Sequence, residues 1–213
     1  MASDTRLDSA ASRGLLQIED CLDADGNVAL PPDVTLISLI ERNIANVGDS
    51  VAYRYLDHTR SESGSVTELT WTQLGRRIRA IAALVQQVAS GGDRVAILAP
   101  QGLDYVAGFF AAIKAGTIAV PLFAPELAGH AQRLAVALHD SRPTVVLTTS
   151  TASAAVEAAL TEVGLVPRPH VITIDDIPDA AAEALTPVRI EADDVSHLPV
   201  SYTHLTLPTN REV

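Results

Sequence analysis

Short apolar segments of strand length alternate with helical segments through most of this sequence. The apolar segments are 94–98 (RVAIL), 117–122 (TIAVPL), 144–148 (TVVLT) and 171–174 (VITI). Each is apolar along nearly its whole length, which is typical of strands that are buried on both faces of a parallel sheet. The sequence therefore predicts an α/β fold with a doubly wound, largely parallel sheet.

Periodic apolar residues predict the helices between these strands. Thr72 is the predicted N-cap of the first one, because its hydroxyl can accept a hydrogen bond from the first turn. The apolar face of that helix comprises Leu74, Ile78, Ile81, Val85 and Val88. A second helix, 102–115, is predicted to be ended by Gly116 in a left-handed conformation. Its inward stripe is predicted to be Leu103, Val106, Phe110 and Ile113. Further helices are predicted at 130–140, before the helix-breaking Pro143, and at 151–163.

Three segments precede this region. Residues 1–34 show weak periodicity and are predicted to form a loose arm, which ends in the sequence PPD at 31–33. A short helix follows, in which Leu36, Ile40 and Ile44 lie one turn apart. A β-hairpin is then predicted from three parts: a strand at 51–56 (VAYRYL), a polar loop around 61–65 and a return strand at 69–71 (LTW).

Composition argues against several classes of function. Acidic residues outnumber basic ones by 26 to 15, for a net charge of -11, which disfavours nucleic acid as a partner. Cys21 is the single cysteine, so one chain cannot build a disulfide or a thiolate metal site. The most apolar stretch, 105–124, is interrupted by Lys114, Gly116 and Pro121, so no membrane span is expected. Because residues 1–13 also lack the apolar core of a signal peptide, we expect a cytoplasmic protein.

The sequence contains no pattern that assembles a catalytic, cofactor-binding or metal site. Neither GxGxxG nor GxxxxGK[ST] occurs, and the glycines at 91–92 precede a strand instead of opening a helix. Metal-ligand spacing is lacking among the histidines, which are His58, His130, His139, His170, His197 and His204. The acidic pairs at 175–176 and 193–194 are interpreted as solvated turns, and Lys114 as a cation at a helix C-terminus. A crevice is still expected at the carboxyl ends of the strands, lined by 100–102 and 123–125.

Four segments in the same order resemble the N-terminal region of the adenylate-forming superfamily. They are 50–58 (SVAYRYLDH), 69–75 (LTWTQLG), 92–124 (GDRVAILAPQGLDYVAGFFAAIKAGTIAVPLFA) and 129–150 (GHAQRLAVALHDSRPTVVLTTS). The aromatic-Leu-Asp ending of the first segment and the Gly-His-x-x-Arg-Leu of the last are most similar to fatty-acyl-AMP ligases. The resemblance covers roughly residues 35–194.

The resemblance implies a parent enzyme that activates a fatty acid with ATP and Mg²⁺, forming an acyl-adenylate. The acyl group would then pass to the thiol of an acyl carrier protein or polyketide synthase. It also implies a phosphate-binding loop of the form YTSGSTxxPxG, an acidic residue for the metal, an Asp for the ribose and a C-terminal Lys. This sequence contains none of these. We therefore expect an inactive fragment that binds ATP and Mg²⁺ poorly and exposes apolar surface around 109–110, which favours self-association.

The resemblance also bears on domain limits and on the alternatives. The predicted parts are the arm (1–34), a truncated α/β subdomain (35–198) and a tail (199–213, PVSYTHLTLPTNREV) that replaces the phosphate loop. We interpret the tail as translated adaptor sequence. An internal deletion is the alternative, in which 203–207 correspond to the Thr-His-x-Asn-Leu stretch after the loop, with Thr206 in place of Asn. A medium- or long-chain acyl-CoA ligase, or a non-catalytic α/β binding module, are the other functions considered.

Overall fold

The computed structural model describes residues 21–29, 34–58, 64–125 and 131–199. In this part of the chain the predicted alternation of strands and helices is confirmed. The elements are α1 (Leu36–Val47), β1 (Val51–Asp57), β2 (Ser65–Thr70), α2 (Trp71–Gln86), β3 (Arg94–Ile97), α3 (Leu103–Lys114), β4 (Ile118–Pro121), α4 (Ala131–Ser141), β5 (Val145–Thr148), α5 (Ser153–Val163) and β6 (His170–Thr173), followed by a 3-10 helix (Asp179–Ala184). None of the described helices is long and apolar enough to cross a bilayer.

The central sheet has the strand order β4-β3-β5-β6, and each neighbouring pair is parallel. Every residue of β5 is buried, as its continuous run of apolar side chains predicts. Alternate strand residues point to opposite faces. Val95 and Val145 contribute to one core cluster with α1, α2 and α3. Ala96 and Val146 contribute to a second cluster with α4 and α5. Helices therefore cover both faces, and the predicted doubly wound architecture is confirmed.

The N-cap prediction for α2 is wrong by two residues. Thr70 is the N-cap, and its hydroxyl accepts a hydrogen bond from the Gln73 backbone N–H at 3.2 Å. The Gln73 side chain accepts in return from the Thr70 backbone N–H at 2.9 Å. A reciprocal capping box requires, three residues after the cap, a side chain that can accept a hydrogen bond, most often Glu or Gln. Thr72 has Gly75 at that position, so the helix begins earlier and Trp71 belongs to it instead of to the return strand.

The predicted inward face of α3 is confirmed only in part, because Val106 and Phe110 pack against the core cluster without being fully buried. Of the four predicted residues only Ile113 is buried, together with Ala107, Gly108, Ala111 and Ala112. The helix lies so close to the sheet that a Cβ on Gly108 would be 3.2 Å from Ile174 Cδ1. Small residues therefore form the contact, and Phe109 and Phe110 pack at its flank, where their ring centroids are 5.3 Å apart.

Gly116 ends α3 as predicted, with φ +81°. The Thr117 backbone N–H donates to Ala112 O at 3.2 Å, and the Gly116 N–H donates to Ile113 O at 2.9 Å. These two hydrogen bonds form a Schellman motif, which requires a left-handed residue that glycine adopts at little cost.

The predicted hairpin forms a separate two-stranded antiparallel sheet of β1 and β2. Ser65 begins β2, and the rest of the predicted loop at 61–63 lies outside the described residues. Tyr53 anchors the hairpin to the helices, with ring centroids 6.3 Å from Trp71 and 6.5 Å from Phe110. The hairpin therefore projects over α2 and α3 at the edge of the main sheet.

A segment that we call the strap, residues 186–198, returns the chain from β6 to β4. It begins at Thr186, which exchanges two 3.0 Å hydrogen bonds with the Gln86 side chain. It ends alongside β4, where Ala119 N–H donates to Ser196 O at 3.0 Å and Leu198 N–H donates to Ala119 O at 2.9 Å. The bridge between Ala119 and His197 is parallel, so the strap runs in the direction of β4.

Most of the predicted arm and tail lies outside the described residues. Within the arm, residues 21–29 form a turn closed by an antiparallel bridge between Leu22 and Val28. Asp23 stabilises this turn by accepting from the Asn27 and Asp25 backbone N–H groups at 2.8 and 2.9 Å. The limits at 34 and 198 stay predictions.

Candidate functional site

A cleft of about 580 Å³ opens at the carboxyl ends of β3, β5 and β6. We call it the carboxyl-edge cleft. Its lining comprises Tyr55, Thr67 and Leu69 of the hairpin, Arg77 of α2, Pro100, Gln101 and Gly102 of the β3–α3 connection, Leu103, Asp104 and Ala107 of α3, Thr149 and Thr151 after β5, and Asp175 after β6. The predicted loop 100–102 lines it. Residues 123–125 do not, because β4 lies at the far edge of the sheet.

A larger groove of about 730 Å³ lies between α4 and α5, but its lining is dominated by alanine. We favour the carboxyl-edge cleft because ligands of open α/β sheets bind at the carboxyl ends of the strands, where polar groups converge.

Arg77 is the central charged residue of the cleft wall. Its Nη2 donates to Asp104 Oδ1 at 3.0 Å and to Ile174 O at 2.8 Å, and its Nη1 donates to Ile177 O at 3.3 Å. The guanidinium thereby joins α2 to α3 and to the chain that follows β6. Because its donors are directed at these partners, Arg77 holds the wall together instead of presenting a free positive charge.

Asp175 forms the second polar link of the cleft. Its carboxylate accepts from the Ser150 backbone N–H at 2.8 and 3.0 Å and from the Ser150 hydroxyl at 2.6 Å. Burial alone would raise the pKa of Asp175, but the hydrogen bonds from Ser150, with help from the nearby Arg77 charge, outweigh it and lower that pKa. Asp175 is therefore an ionised acceptor that ties the end of β6 to the loop after β5, and not a simple solvated turn residue.

Hydroxyl groups fix the strand ends around the cleft. Thr148 is fully buried, and its hydroxyl donates to Leu98 O at 2.8 Å. Tyr105 donates to Leu122 O at 2.8 Å, and burial raises the pKa of its phenol to about 12. This phenol therefore stays protonated at neutral pH and serves as a hydrogen-bond donor. In the described part of the chain, every buried side-chain nitrogen or oxygen has a partner.

The charged side chains in the described wall of the cleft have hydrogen-bond partners within the fold. Asp104 binds the Arg77 guanidinium, Asp175 binds Ser150, and no nucleophile lies beside a free base in the described wall. Across the described residues, no three His, Cys, Asp or Glu side chains are grouped closely enough to hold a metal ion. The sequence-based expectation that the chain assembles no catalytic, cofactor or metal site stays a prediction.

The histidines among the described residues lie apart from one another. His139 lines the groove between α4 and α5, and His170 begins β6. His197 lies on the strap, where it bonds the Ser196 hydroxyl at 2.8 Å and its ring centroid is 5.5 Å from that of Phe109. His58 follows β1, whereas His130 and His204 lie outside the described residues.

The remaining singled-out residues have local roles. Lys114 ends α3 as predicted and also forms an ion pair with Glu41 of α1 at 2.9 Å. Asp194 accepts from the Glu191 backbone N–H at 2.8 Å within a turn. Gly92 has φ +80°, which agrees with the interpretation of residues 91–92 as a turn.

Sequence reasoning missed Arg77, Asp104 and Ser150 as members of the cleft wall. Arg77 follows Leu74 by three residues and precedes Ile78 and Ile81, so it borders the apolar face of α2. The signal that could have identified Arg77 is its position as a cation beside the apolar face of α2. Its partners are 27 and 97 residues away in the chain, which spacing alone does not reveal.

A parallel sheet covered on both faces, with a cleft at its carboxyl edge, defines an α/β protein of the class that binds ligands at strand ends. The family model described as "AMP-binding enzyme" matches residues 40–205. The chain belongs to this family of AMP-binding enzymes. The match extends past Leu198 into the predicted tail.

Individual relatives agree with this assignment. The chain is 39% identical over 198 residues to the long-chain-fatty-acid–AMP ligase FadD32 of Mycolicibacterium smegmatis, an alignment that covers 87% of the chain and 31% of that protein. The crystal structure of a fatty acid AMP ligase from Legionella pneumophila covers 76% of the chain with a TM-score of 0.64 and 21% identity, over 27% of that structure. An acyl-CoA synthetase from Brucella canis covers 70% with a TM-score of 0.52 and 28% identity, over 28% of that structure. The chain therefore spans about a third of the length of the FadD32 relative.

Proposed function

We propose that this chain is the N-terminal portion of a fatty-acyl-AMP ligase. The full-length parent would activate a fatty acid with ATP and Mg²⁺ and pass the acyl group to the thiol of a carrier protein or polyketide synthase. The observation that carries the proposal is the 39% identity to FadD32 over 87% of the chain. Because this reaction consumes ATP and a carrier-bound thiol, we place it in the cytoplasm.

The path of the strap supports this proposal. Ser196 and Leu198 pair with Ala119 in parallel, so the strap runs beside β4 towards the carboxyl edge of the sheet. In the parent, the residues that follow position 198 would reach the edge at which the carboxyl-edge cleft opens. The resemblance places the phosphate-binding loop directly after such a segment. The described part would then be the scaffold that presents this loop, which must neutralise phosphate charge during adenylation.

On this proposal the 213-residue chain is inactive by itself and exposes surface that the parent would cover. Val51, Leu56 and Val66 of the two-stranded hairpin are exposed, and both strands offer unpaired edges. We propose that the isolated chain self-associates through such surface. Light scattering should detect species larger than 22.4 kDa, and a strictly monomeric chain that binds no hydrophobic dye would contradict this.

The test of the proposed activity is ATP–pyrophosphate exchange in the presence of fatty acids of several lengths. We expect no exchange by the 213-residue chain and measurable exchange by a chain extended with the genomic sequence that follows codon 198. If that genomic sequence encodes no phosphate loop in frame, or if the extended chain is inactive with every fatty acid, the proposal is wrong. Exchange by the short chain would overturn the inactive-fragment part alone.

An acyl-CoA ligase is the second candidate function, because the Brucella canis acyl-CoA synthetase shares the fold at 28% identity. The two functions differ in the acceptor of the acyl group. An extended, active chain supplied with radiolabelled fatty acid should transfer the label to a holo carrier protein and not to CoA. Transfer to CoA alone would favour the second candidate.

A further inference from the structure

A pocket of about 280 Å³ lies at the amino edge of the parallel sheet, opposite the carboxyl-edge cleft. We call it the amino-edge pocket. Its lining is Arg94, Arg142, Pro143, Thr144, Leu165, Val166, Pro167, Arg168 and His170. Three of these residues are arginines and a fourth is histidine, and the described lining contains no acidic residue. This concentration of positive charge stands out in a chain of net charge -11.

The order of the strands brings these residues together. Arg94 is the first residue of β3, and His170 is the first residue of β6. Between them, Thr144 directly precedes β5. Thr144 N–H donates to Arg94 O and His170 N–H donates to Thr144 O, each at 2.9 Å. Because parallel strands start at the same edge, the sheet places the Arg94 and His170 side chains on one rim.

Two of the arginines are compensated by neighbouring groups. Arg94 donates to Ser141 O at 3.0 Å and to Arg142 O at 3.2 Å, which are carbonyls at the C-terminus of α4. The negative ends of α4 and α5 each carry about half an elementary charge, so together they offset roughly one guanidinium. Arg168 forms an ion pair with Glu157, which offsets a second guanidinium.

Arg142 differs from these two arginines because no neighbouring group in the described part of the chain offsets its charge. No ion pair or hydrogen bond of its guanidinium is present among the described residues, and the side chain is exposed. Its backbone is fixed by a hydrogen bond from its N–H to Leu138 O at 2.9 Å and by the buried Pro143 that follows. Its φ of +43° lies in the left-handed region, where non-glycine residues are uncommon. The turn thus holds a free guanidinium at the pocket.

We propose that the amino-edge pocket binds a phosphate group, with Arg142 as its principal ligand. The planar fork of N–H donors of arginine matches two phosphate oxygens. Arg94 and Arg168, which are bonded to their neighbours, form the rest of the rim, and a ring N–H of His170 can donate a further hydrogen bond. The pocket is small enough to favour inorganic phosphate or a compact phosphomonoester. Its position on the edge opposite the carboxyl-edge cleft makes this site independent of the proposed adenylation activity.

The test measures the thermal unfolding midpoint of the 213-residue chain while chloride is replaced by phosphate at constant ionic strength. Two probes are titrated separately, inorganic phosphate and glycerol 3-phosphate. A ligand that binds only the folded state raises the midpoint in a saturable manner, and we expect this for at least one probe. Tighter binding of glycerol 3-phosphate would identify the ligand class as an organic phosphomonoester, and equal or tighter binding of the inorganic ion as free phosphate.

Two variants and a control assign the binding to Arg142. Arg142→Gln removes a charge-assisted contact without removing a structural partner, and it should weaken phosphate binding by about tenfold or more. Arg142→Lys keeps the charge but loses the planar fork of donors. Its phosphate affinity should therefore lie between that of Arg142→Gln and that of the unsubstituted chain. Arg76→Gln removes an equal charge from an exposed position of α2 and should leave binding unchanged. The proposal is overturned if neither probe gives saturable stabilisation, or if Arg142→Gln binds phosphate as tightly as the unsubstituted chain. It is also overturned if Arg76→Gln weakens phosphate binding as much as Arg142→Gln does.

Discussion

At the carboxyl edge of the parallel sheet the charged side chains join several elements of the fold, whereas at the amino edge Arg142 extends towards solvent without a partner among the described residues. Arg77, Asp104, Asp175 and Ser150 connect α2, α3 and the ends of β5 and β6 across the carboxyl edge. The amino edge combines such links, as in the Arg168–Glu157 ion pair, with backbone turns such as the one at Gly116. The described wall of the carboxyl-edge cleft is therefore built from groups that bind one another across the fold.

If this comparison is right, substitution of Arg77 should have the largest effect on stability. Arg77→Met keeps much of the aliphatic volume but leaves Asp104 and the carbonyls of Ile174 and Ile177 without their donor. A hydrogen bond to a charged group contributes about 1.5–3 kcal/mol, so we expect a loss of about 2–3 kcal/mol in the free energy of unfolding measured with urea. Arg76→Met, at the exposed neighbouring position, is the matched control and should change the free energy by less than about 0.5 kcal/mol. Equal effects of the two variants would show that Arg77 does not stabilise the cleft wall.

The amino edge should respond most strongly at Gly116. Gly116→Ala introduces a Cβ that would lie 2.8 Å from Val188 Cγ1 and forces a non-glycine residue to φ +81°. The left-handed conformation costs about 1–2 kcal/mol, and the close contact adds to this, so we expect a loss of about 2 kcal/mol in the free energy of unfolding. In the Val188→Ala background the close contact disappears, and only the conformational cost should remain. An equal cost in both backgrounds would place the whole effect in the backbone.

The sequence predicts the buried strands of the sheet better than it predicts the helix faces that pack on them. Continuous apolar runs such as 144–148 predicted strands buried on both faces, because every residue of β5 has to contact a helix or a neighbouring strand. Periodicity identified only part of the buried face of α3. Gly108 and its neighbouring alanines form the contact with the sheet because the helix approaches the sheet closely. The prediction had instead used the spacing of the larger apolar residues, such as Phe110, to assign the inward face.

The polar parts of the molecule were the least predictable. Asp175 was interpreted as a solvated turn residue, but its partner Ser150 lies 25 residues away. Likewise, the strap reads as a polar linker, although it pairs with β4 through Ala119. Such contacts depend on which strands are neighbours in the sheet. The carboxyl edge was predictable as the location of a cleft, and the residues that form its wall were not.

Substitution of Ser150 tests whether its hydrogen bonds keep the Asp175 carboxylate ionised. Ser150→Ala removes the 2.6 Å hydroxyl hydrogen bond to Asp175 and should cost about 1 kcal/mol at pH 7. The folded-state pKa of Asp175 lies below its ordinary value of 3.8, so the carboxylate stabilises the fold above that pH. This stabilisation is lost as the pH falls through the folded-state pKa.

Urea unfolding at several pH values measures this dependence. The cost of Ser150→Ala should therefore shrink as the pH falls below 3.8 and through the lowered folded-state pKa of Asp175. Asp176→Asn, at the exposed adjacent position, is the control and should show a smaller cost. A cost for Ser150→Ala that stays constant from pH 7 to pH 3 would mean that the hydroxyl does not act through the ionised carboxylate.

The smallest effect on stability is expected from the ion pair of the amino edge. Glu157 and Arg168 expose 48% and 49% of their side chains, and exposed pairs typically contribute about 0.2–1 kcal/mol that salt screens. Glu157→Gln should therefore lower the free energy of unfolding by no more than about 0.5 kcal/mol at low salt. The same substitution releases the Arg168 guanidinium, so phosphate affinity at the amino-edge pocket should rise several-fold. Glu162→Gln removes an equal negative charge from the same helix, outside the lining of this pocket, and should raise affinity less. A large loss of stability in Glu157→Gln, or unchanged phosphate affinity, would erase the difference between the two edges.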